Sequence, residues 1–323
     1  MTTLALPRGK QAGSLLLKDE AVYGTAPASG DYTPLPFYTE NLGSSEPLED
    51  DPVIGADEHN TRDSTKAAPG LISHGGDVVF PMCLNNLGEV MRYAFGAPTT
   101  VGAGADKTHT FNSGATSLPS AAIQVPKKSD AVMVHKGCVL STLGFDFSRS
   151  GGYRRVNTSW LGRIDSPEAA ALGAEGTPLG LLQIPGTLGT LSVNGATPAH
   201  VMSGQLTFNS GASPLEAITG DRAVSAAILD NPASCEGQFV VRFTDTALYD
   251  EVVAENEVPI VITFELSATQ SIAFSMPACR LGRQPFAPIS GPGGMEVTMP
   301  FRAAQTADDP MLSVVLKNQI ESY

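Results

Sequence analysis

Val139-Leu140-Ser141-Thr142-Leu143-Gly144-Phe145-Asp146-Phe147-Ser148 decides the fold. Successive side chains of an extended chain point to opposite faces, so Leu143, Phe145 and Phe147 share one side while Gly144, Asp146 and Ser148 share the other. A strand with one apolar and one polar face is half-buried and belongs to an antiparallel sheet. Met202, Leu206 and Phe208 alternate in the same way with Ser203, Gln205 and Thr207. So do Phe239, Val241 and Phe243, and so do Val297, Met299 and Phe301 against Glu296, Thr298, Pro300 and Arg302. The longest apolar run, Val258 to Phe264 (VPIVITF), has the length of one strand. Gly, Pro, Asn and Ser bound these stretches, which is the pattern of an all-β chain rather than a helical one.

Helical signals are few. Leu87, Val90, Met91 and Ala94 are spaced as one helix face between Asn86 and Gly96, with Pro98 beyond as a further stop. Ser166-Pro167-Glu168 reads as a short helical turn running through Ala169 to Leu172, with Ser166 as its cap and Gly173 as its end. Asp309-Pro310 has the form of a helix start, but the β-branched pair Val314 and Val315 makes LSVVLKN a strand. Val139-Leu140-Ser141 and Leu143 to Asp146 are echoed, offset by one, in Val201-Met202-Ser203 and Leu206 to Asn209. Two readings stay open: a duplicated β unit, with halves at about 76–165 and 186–302, or a chance likeness between strands.

Composition sets the outer limits. The chain has 323 residues, 42% of them hydrophobic, which is enough to bury a sizeable core and excludes disorder throughout. Charged residues are 16%, below the roughly 25% typical of soluble domains. The net charge of −13 argues against a protein that coats nucleic acid. Residues 19–63 hold eleven acids and a single base, Arg62, in a Pro- and Gly-rich stretch without helical or alternating period. That segment reads as an extended arm or long loop: a solvated loop, an arm packed on a neighbouring subunit, or an acidic lining that repels a polyanion. A second acidic stretch runs from Asp245 to Glu257 without a base. No segment reaches the roughly 18 apolar residues a membrane span needs, and MTTLALPRGKQAG lacks the form of an export signal. Synthesis in the cytoplasm, with no membrane partner, is the expectation.

Catalytic signatures are missing. Cys83, Cys138, Cys235 and Cys279 are widely spaced and read as buried, reduced thiols. His59, His74, His109, His135 and His200 show no metal spacing, and His109 and His135 lie within apparent strands as packing or edge residues. Neither a Gly-x-Ser-x-Gly elbow nor a phosphate-binding glycine loop is present, and Gly291-Pro292-Gly293-Gly294 reads as a turn. Asp50-Asp51 and Asp57-Glu58 lack the ligand spacing of a calcium loop. Arg154 and Arg155, with Arg149 and Arg163 nearby, read as surface or intersubunit ion pairs with the first two on opposite faces of a strand. No catalytic, cofactor-binding or metal residue is assigned, and the expectation is a structural protein without enzymatic activity.

The order of segments resembles the tail tube (major tail) proteins of long-tailed bacteriophages. Glu20-Ala21-Val22-Tyr23-Gly24-Thr25-Ala26 is similar to the family's opening stretch, followed by a proline-rich link. His74-Gly75-Gly76-Asp77-Val78-Val79-Phe80 follows as a glycine-led strand, and Leu87 to Gly96 as a helix ending in Phe-Gly. Thr108 to Phe111, Pro119 to Ile123 and Gly137 to Leu140 keep the family order, as do Phe243-Thr244-Asp245 with Leu248-Tyr249, a closing hairpin from Gly291 to Phe301 and a last strand from Leu312 to Tyr323. The resemblance implies a mainly β, antiparallel sandwich or barrel-like subunit with one short helix, an extended N-terminal arm and long loops. It divides the chain into an N-terminal strand and acidic arm (1–75), a β-rich tube domain (76–302) and a C-terminal strand or tail (303–323). It further implies stacked homo-oligomeric rings, hexameric or a trimeric pseudo-hexamer, and a location in the virion tail. Tape measure, tail terminator and distal tail proteins are the implied partners, with phage DNA passing non-specifically through the channel. The arm from Ser44 to Gly70 and the tail from Ala303 to Tyr323 are the expected subunit contacts, and part of the acidic excess is expected to face the channel. Alternatives are another β-rich virion protein, such as a capsid decoration or baseplate component, or a carbohydrate-active β-sandwich protein. The single Trp160 and 7% aromatic residues leave little for stacking on sugars.

Overall fold

The computed structural model describes residues 13–54, 61–64, 66–104, 106–128, 131–198, 200–243, 246–285 and 294–323. The N-terminal peptide, the arm tip with Asp57-Glu58 and His59, Thr244-Asp245 and most of the Gly291 turn lie outside the described residues. Strands of four or more residues are numbered in chain order. They are β1 (Leu15–Asp19), β2 (Asp31–Leu35), β3 (Ser73–Pro81), β4 (Lys107–Asn112), β5 (Ala121–Lys128), β6 (Ala131–Ser148), β7 (Arg155–Gly162) and β8 (Ile164–Glu168). There follow β9 (Thr190–Val193), β10 (Val201–Asn209), β11 (Ser234–Arg242), β12 (Glu257–Ser267), β13 (Gln270–Leu281), β14 (Glu296–Ala304) and β15 (Ser313–Asn318).

The stretch from Val139 to Ser148 is the inner half of β6 and sits in the centre of the molecule. It pairs with β7 on one side and β10 on the other, and β3 and β11 extend the layer, followed by β14. A second layer runs β9–β12–β13–β15–β4. β13 belongs to both, since Ala278 to Leu281 pair with β14 while Ser271 to Ser275 pair with β15. The first half of β6 turns into a smaller flap with β8 on one flank and β5, β1 and β2 on the other. The result is sandwich-like and mainly β, with no closed barrel.

The layers meet over the predicted apolar faces. Phe145 of β6 lies 4.6 Å from the Phe274 ring of β13 and 5.6 Å from the Phe264 ring of β12, and all three are buried. Each fully buried phenylalanine contributes about 1.5–3 kcal/mol of transfer free energy. Helix α1 (Leu87–Phe95) packs Phe95 on Phe208 and Tyr93 on Trp160. It ends where the spacing predicts, at Gly96, whose φ of 86° only glycine adopts without strain. The segments that echo each other in sequence lie side by side, Leu143 opposite Phe208 and Phe145 opposite Leu206.

Three expectations are corrected. Ser166-Pro167-Glu168 is not helical: it belongs to β8, paired along Val132 to Lys136. β8 is an edge strand, and there the missing N–H of Pro167 costs no ladder bond. Met202 is exposed rather than buried with Leu206 and Phe208, because a bulge between Val201 and Ser203 throws it out of register. The acidic stretch after Asp245 contains a second helix, α2 (Ala247–Val253), so there are two helices among the described residues. Its single buried residue, Val252, leaves no apolar period to read. The C-terminal strand forms as its β-branched pair predicts: β15 is flanked by β13 and β4, and the Tyr323 hydroxyl donates to Asn85 O at 2.9 Å, packing the segment on the start of α1.

Candidate assembly surfaces and a buried histidine cluster

The acidic segment divides in two. Its first half is fastened to the body by its own carboxylates. Asp19 accepts from the Arg92 guanidinium at 2.5 Å and from the Tyr93 hydroxyl, Glu40 pairs with Lys127, and Glu46 pairs with Arg222. Glu20 accepts from Gly24 N, Gly137 N and the Ser120 hydroxyl at 2.8–2.9 Å; burial nonetheless pushes its carboxyl above the usual range, against the downward pull of these donors. Tyr32 and Leu35 are fully buried, so β2 is core structure and not loop.

Beyond Glu46 the chain leaves the body. Leu48–Glu49 pairs only with Ala68–Pro69, forming the neck of a projecting hairpin. Leu48 is 74% exposed and Ile54 96% exposed, with Val53 exposed beside them. At the root of this hairpin, Leu71, Ile72, Ala217, Ile218 and Val224 line an open groove of about 480 Å³.

The outward face of β3–β7–β6–β10–β11–β14 is built differently. Thr142, Asn157, Ser159, Gln205, Thr207, Gln238 and Thr298 give it hydroxyl and amide groups, and none of these strands places a lysine there. Its arginines are matched: Arg302 lies opposite Glu236 at 3.4 Å and Arg242 opposite Glu296, while Arg155 stacks on the Tyr38 ring at 4.6 Å.

Arg154, expected in a surface ion pair, is buried and meets no carboxylate. Its guanidinium donates to the carbonyls of Leu188 and Gly186 at 2.6–2.9 Å and of Ser148 at 3.3 Å, and lies over the Phe264 ring. Burial holds its pKa below the usual arginine value. It staples the loop before β9 to the end of β6.

Three strands bring together residues that no sequence spacing connects. His74 opens β3, His135 lies in the first half of β6, and Asp165 lies in β8. His74 Nε2 and His135 Nδ1 stand 3.0 Å apart, with Asp165 Oδ2 4.0 Å from the latter, and the three ligand atoms lie within 4.8 Å of one another. Both imidazoles are buried; burial lowers the pKa of each, His135 to about 4, so both rings are neutral. His74 fits because Gly162 lies opposite it, where a Cβ would strike Nδ1. Asp165 also accepts from Ser44 N at 3.2 Å, and its own N–H donates to the Ser44 hydroxyl at 3.3 Å, at the root of the arm.

The sequence profile of the phage tail tube protein family matches residues 10–303. The chain belongs to that family. No curated protein matches its sequence. In this tail tube protein, a structural subunit of the virion tail, the cysteines are all buried and free, and burial pushes the Cys279 thiol up to about 12. His109 is a packing residue as expected, between the Thr100 hydroxyl at 2.8 Å and Asn318 Oδ1 at 3.1 Å. Trp160 is buried and unavailable to a sugar. Among the described residues no helix is long and apolar enough to cross a membrane. The His74–His135–Asp165 cluster is what sequence reasoning missed, since its members are separated by tens of residues; the one available signal was histidine within two otherwise apolar strands.

Proposed function

We propose that this tail tube protein polymerises into stacked rings of six copies that form the channel for DNA passage into the host, without catalysing a reaction. Three copies forming a pseudo-hexamer rank second. The projecting hairpin carries the reading: Leu48, Val53 and Ile54 are exposed on an arm that makes no core of its own, and a neighbouring copy would bury them. The arm contacts then come from Ser44 to Gly70, while the C-terminal strand serves the subunit's own sheet. Tape measure protein inside the tube, and terminator and distal tail proteins at its ends, are the partners this assembly requires. Synthesis takes place in the host cytoplasm.

The channel wall in this reading is the hydroxyl- and amide-bearing face around Gln205 and Thr207. A polyanion slides past such a wall because no unmatched cation holds its phosphates. The acids near the chain start serve the subunit's own body instead. Electron microscopy of the purified protein across a range of concentrations tests assembly: hollow tubes or stacked rings support it, and a chain that stays monomeric even with an initiator complex overturns it. In assembled virions, Gln205→Lys with Thr207→Lys should slow genome ejection, while Ser275→Lys on the second layer should not. Equal kinetics for both would remove Gln205 and Thr207 from the wall.

A further inference from the structure

We propose that His74, His135 and Asp165 form a binding site for one zinc-type divalent cation, which pins the root of the arm to the body of the subunit. The donor set fits that class of ion. Zinc takes imidazole nitrogens and carboxylate oxygens at about 2.0–2.2 Å in tetrahedral sites, which places neighbouring ligand atoms roughly 3.3 Å apart. The observed separations of 3.0 Å and 4.0 Å bracket that spacing, and all three ligand atoms lie within 4.8 Å of one another, so side-chain rotation is what must bring them onto a common centre. Calcium and magnesium require mainly oxygen ligands and are excluded by two facing imidazoles.

Two imidazoles facing each other share one proton between Nε2 of His74 and Nδ1 of His135, and the outer nitrogens, His74 Nδ1 and His135 Nε2, have no hydrogen-bond partner. An ion at the facing nitrogens takes the place of that shared proton, accepting a lone pair from each ring beside the Asp165 carboxylate, and the outer nitrogens then carry the N–H groups. Entry is open through Asp165, whose side chain is 18% exposed. The ion would then join β3, β6, β8 and the strand Gly43–Ser45 at the point where the arm departs.

The site stands apart from the assembly reading, since binding is measured on the free subunit. The full chain is stripped with chelator and titrated with Zn²⁺ by calorimetry and with Co²⁺ by visible absorption. One ion per chain, the intense spectrum of tetrahedral cobalt and a thermal midpoint raised by Zn²⁺ are expected. Asp165→Asn removes a partly exposed ligand without touching the core, and should weaken binding by more than about a hundredfold, beyond the roughly 10–100-fold loss from an outer-shell change. His74→Asn should abolish it, with circular dichroism confirming the fold. Absence of saturable binding overturns the proposal and assigns the histidines to a proton-sharing core pair. Equal affinity in Asp165→Asn overturns it too, by placing the ion at exposed groups such as His200.

Discussion

β3 and the acidic hairpin that precedes it are adjacent in the chain and joined through Gly43–Ser45, yet they obey opposite rules. In β3, Val78 and Phe80 enter the core while Asp77 stays outside, and every strand neighbour repeats the division. In the hairpin, Leu48, Val53 and Ile54 face solvent and nothing in the subunit covers them. The body folds on its own apolar surface; in the proposed assembly the arm's apolar surface serves a partner. On that reading stability and assembly reside in separate parts of one chain, and substitutions should separate them.

The largest expected loss of stability comes from Phe145→Ala. Its ring joins both layers through Phe264 and Phe274, and truncation leaves a cavity that neither rigid layer can collapse to fill. Urea unfolding should show about 3–5 kcal/mol of destabilisation. A loss below about 1 kcal/mol would mean that the layers are held together elsewhere and would break the distinction between body and arm. Arg154→Met comes next. It removes the donor shared by the carbonyls of Gly186, Leu188 and Ser148 and leaves them buried beside Phe264. Unsatisfied buried acceptors of this kind cost about 1–3 kcal/mol. Lysine at the same position cannot span three carbonyls with one ammonium, so Arg154→Lys should recover only part of the loss.

A smaller effect belongs to His109. Burial lowers its folded pKa, while the unfolded value stays near the ordinary one of about 6.5. The unfolded chain then binds the proton more readily, so stability falls as pH drops below about 6.5 and continues falling towards the folded pKa. His109→Gln keeps hydrogen-bonding groups near Thr100 and Asn318 but does not titrate. Its unfolding free energy should change less than that of the unsubstituted protein between pH 7 and 5, and parallel pH curves would refute the assignment.

What could be read beforehand follows the same division. Alternation revealed β6, β10, β11 and β14, a strand-length apolar run revealed β12, and helical spacing revealed α1, because in each the burial pattern is local. α2 stayed hidden because one buried valine makes no period, and β8 because a serine-proline start fits a helix as well as it fits an edge strand. Arg154 looked like surface charge because its partners are backbone carbonyls, which no residue pattern displays. His74, His135 and Asp165 converge through the pairing of three strands, a fact of topology and not of spacing. The acidic run was legible as an arm only beyond Glu46; before it, Tyr32 and Leu35 already belonged to the core.

The smallest effect on stability should come from the arm, and it tests the comparison most directly. Ile54→Ser changes a side chain that is 96% exposed and makes no core contact, so the unfolding free energy should stay within about 0.5 kcal/mol. In the proposed assembly the same side chain lies against a neighbouring copy, and replacing it by a hydroxyl would leave an apolar pocket unfilled at every subunit contact. Repetition around each ring and along the tube multiplies a modest loss per contact. Leu48→Ser should act in the same direction and add to it, since Leu48 stands in the neck and Ile54 lies further along the projection. Concentration-dependent electron microscopy of the double variant should therefore show fully stable subunits without tubes, where Phe145→Ala lowers the stability of the subunit itself. Tubes of normal length from the double variant would mean that the exposed aliphatic side chains are not the contact, and would shift assembly to the free edges of the sheet.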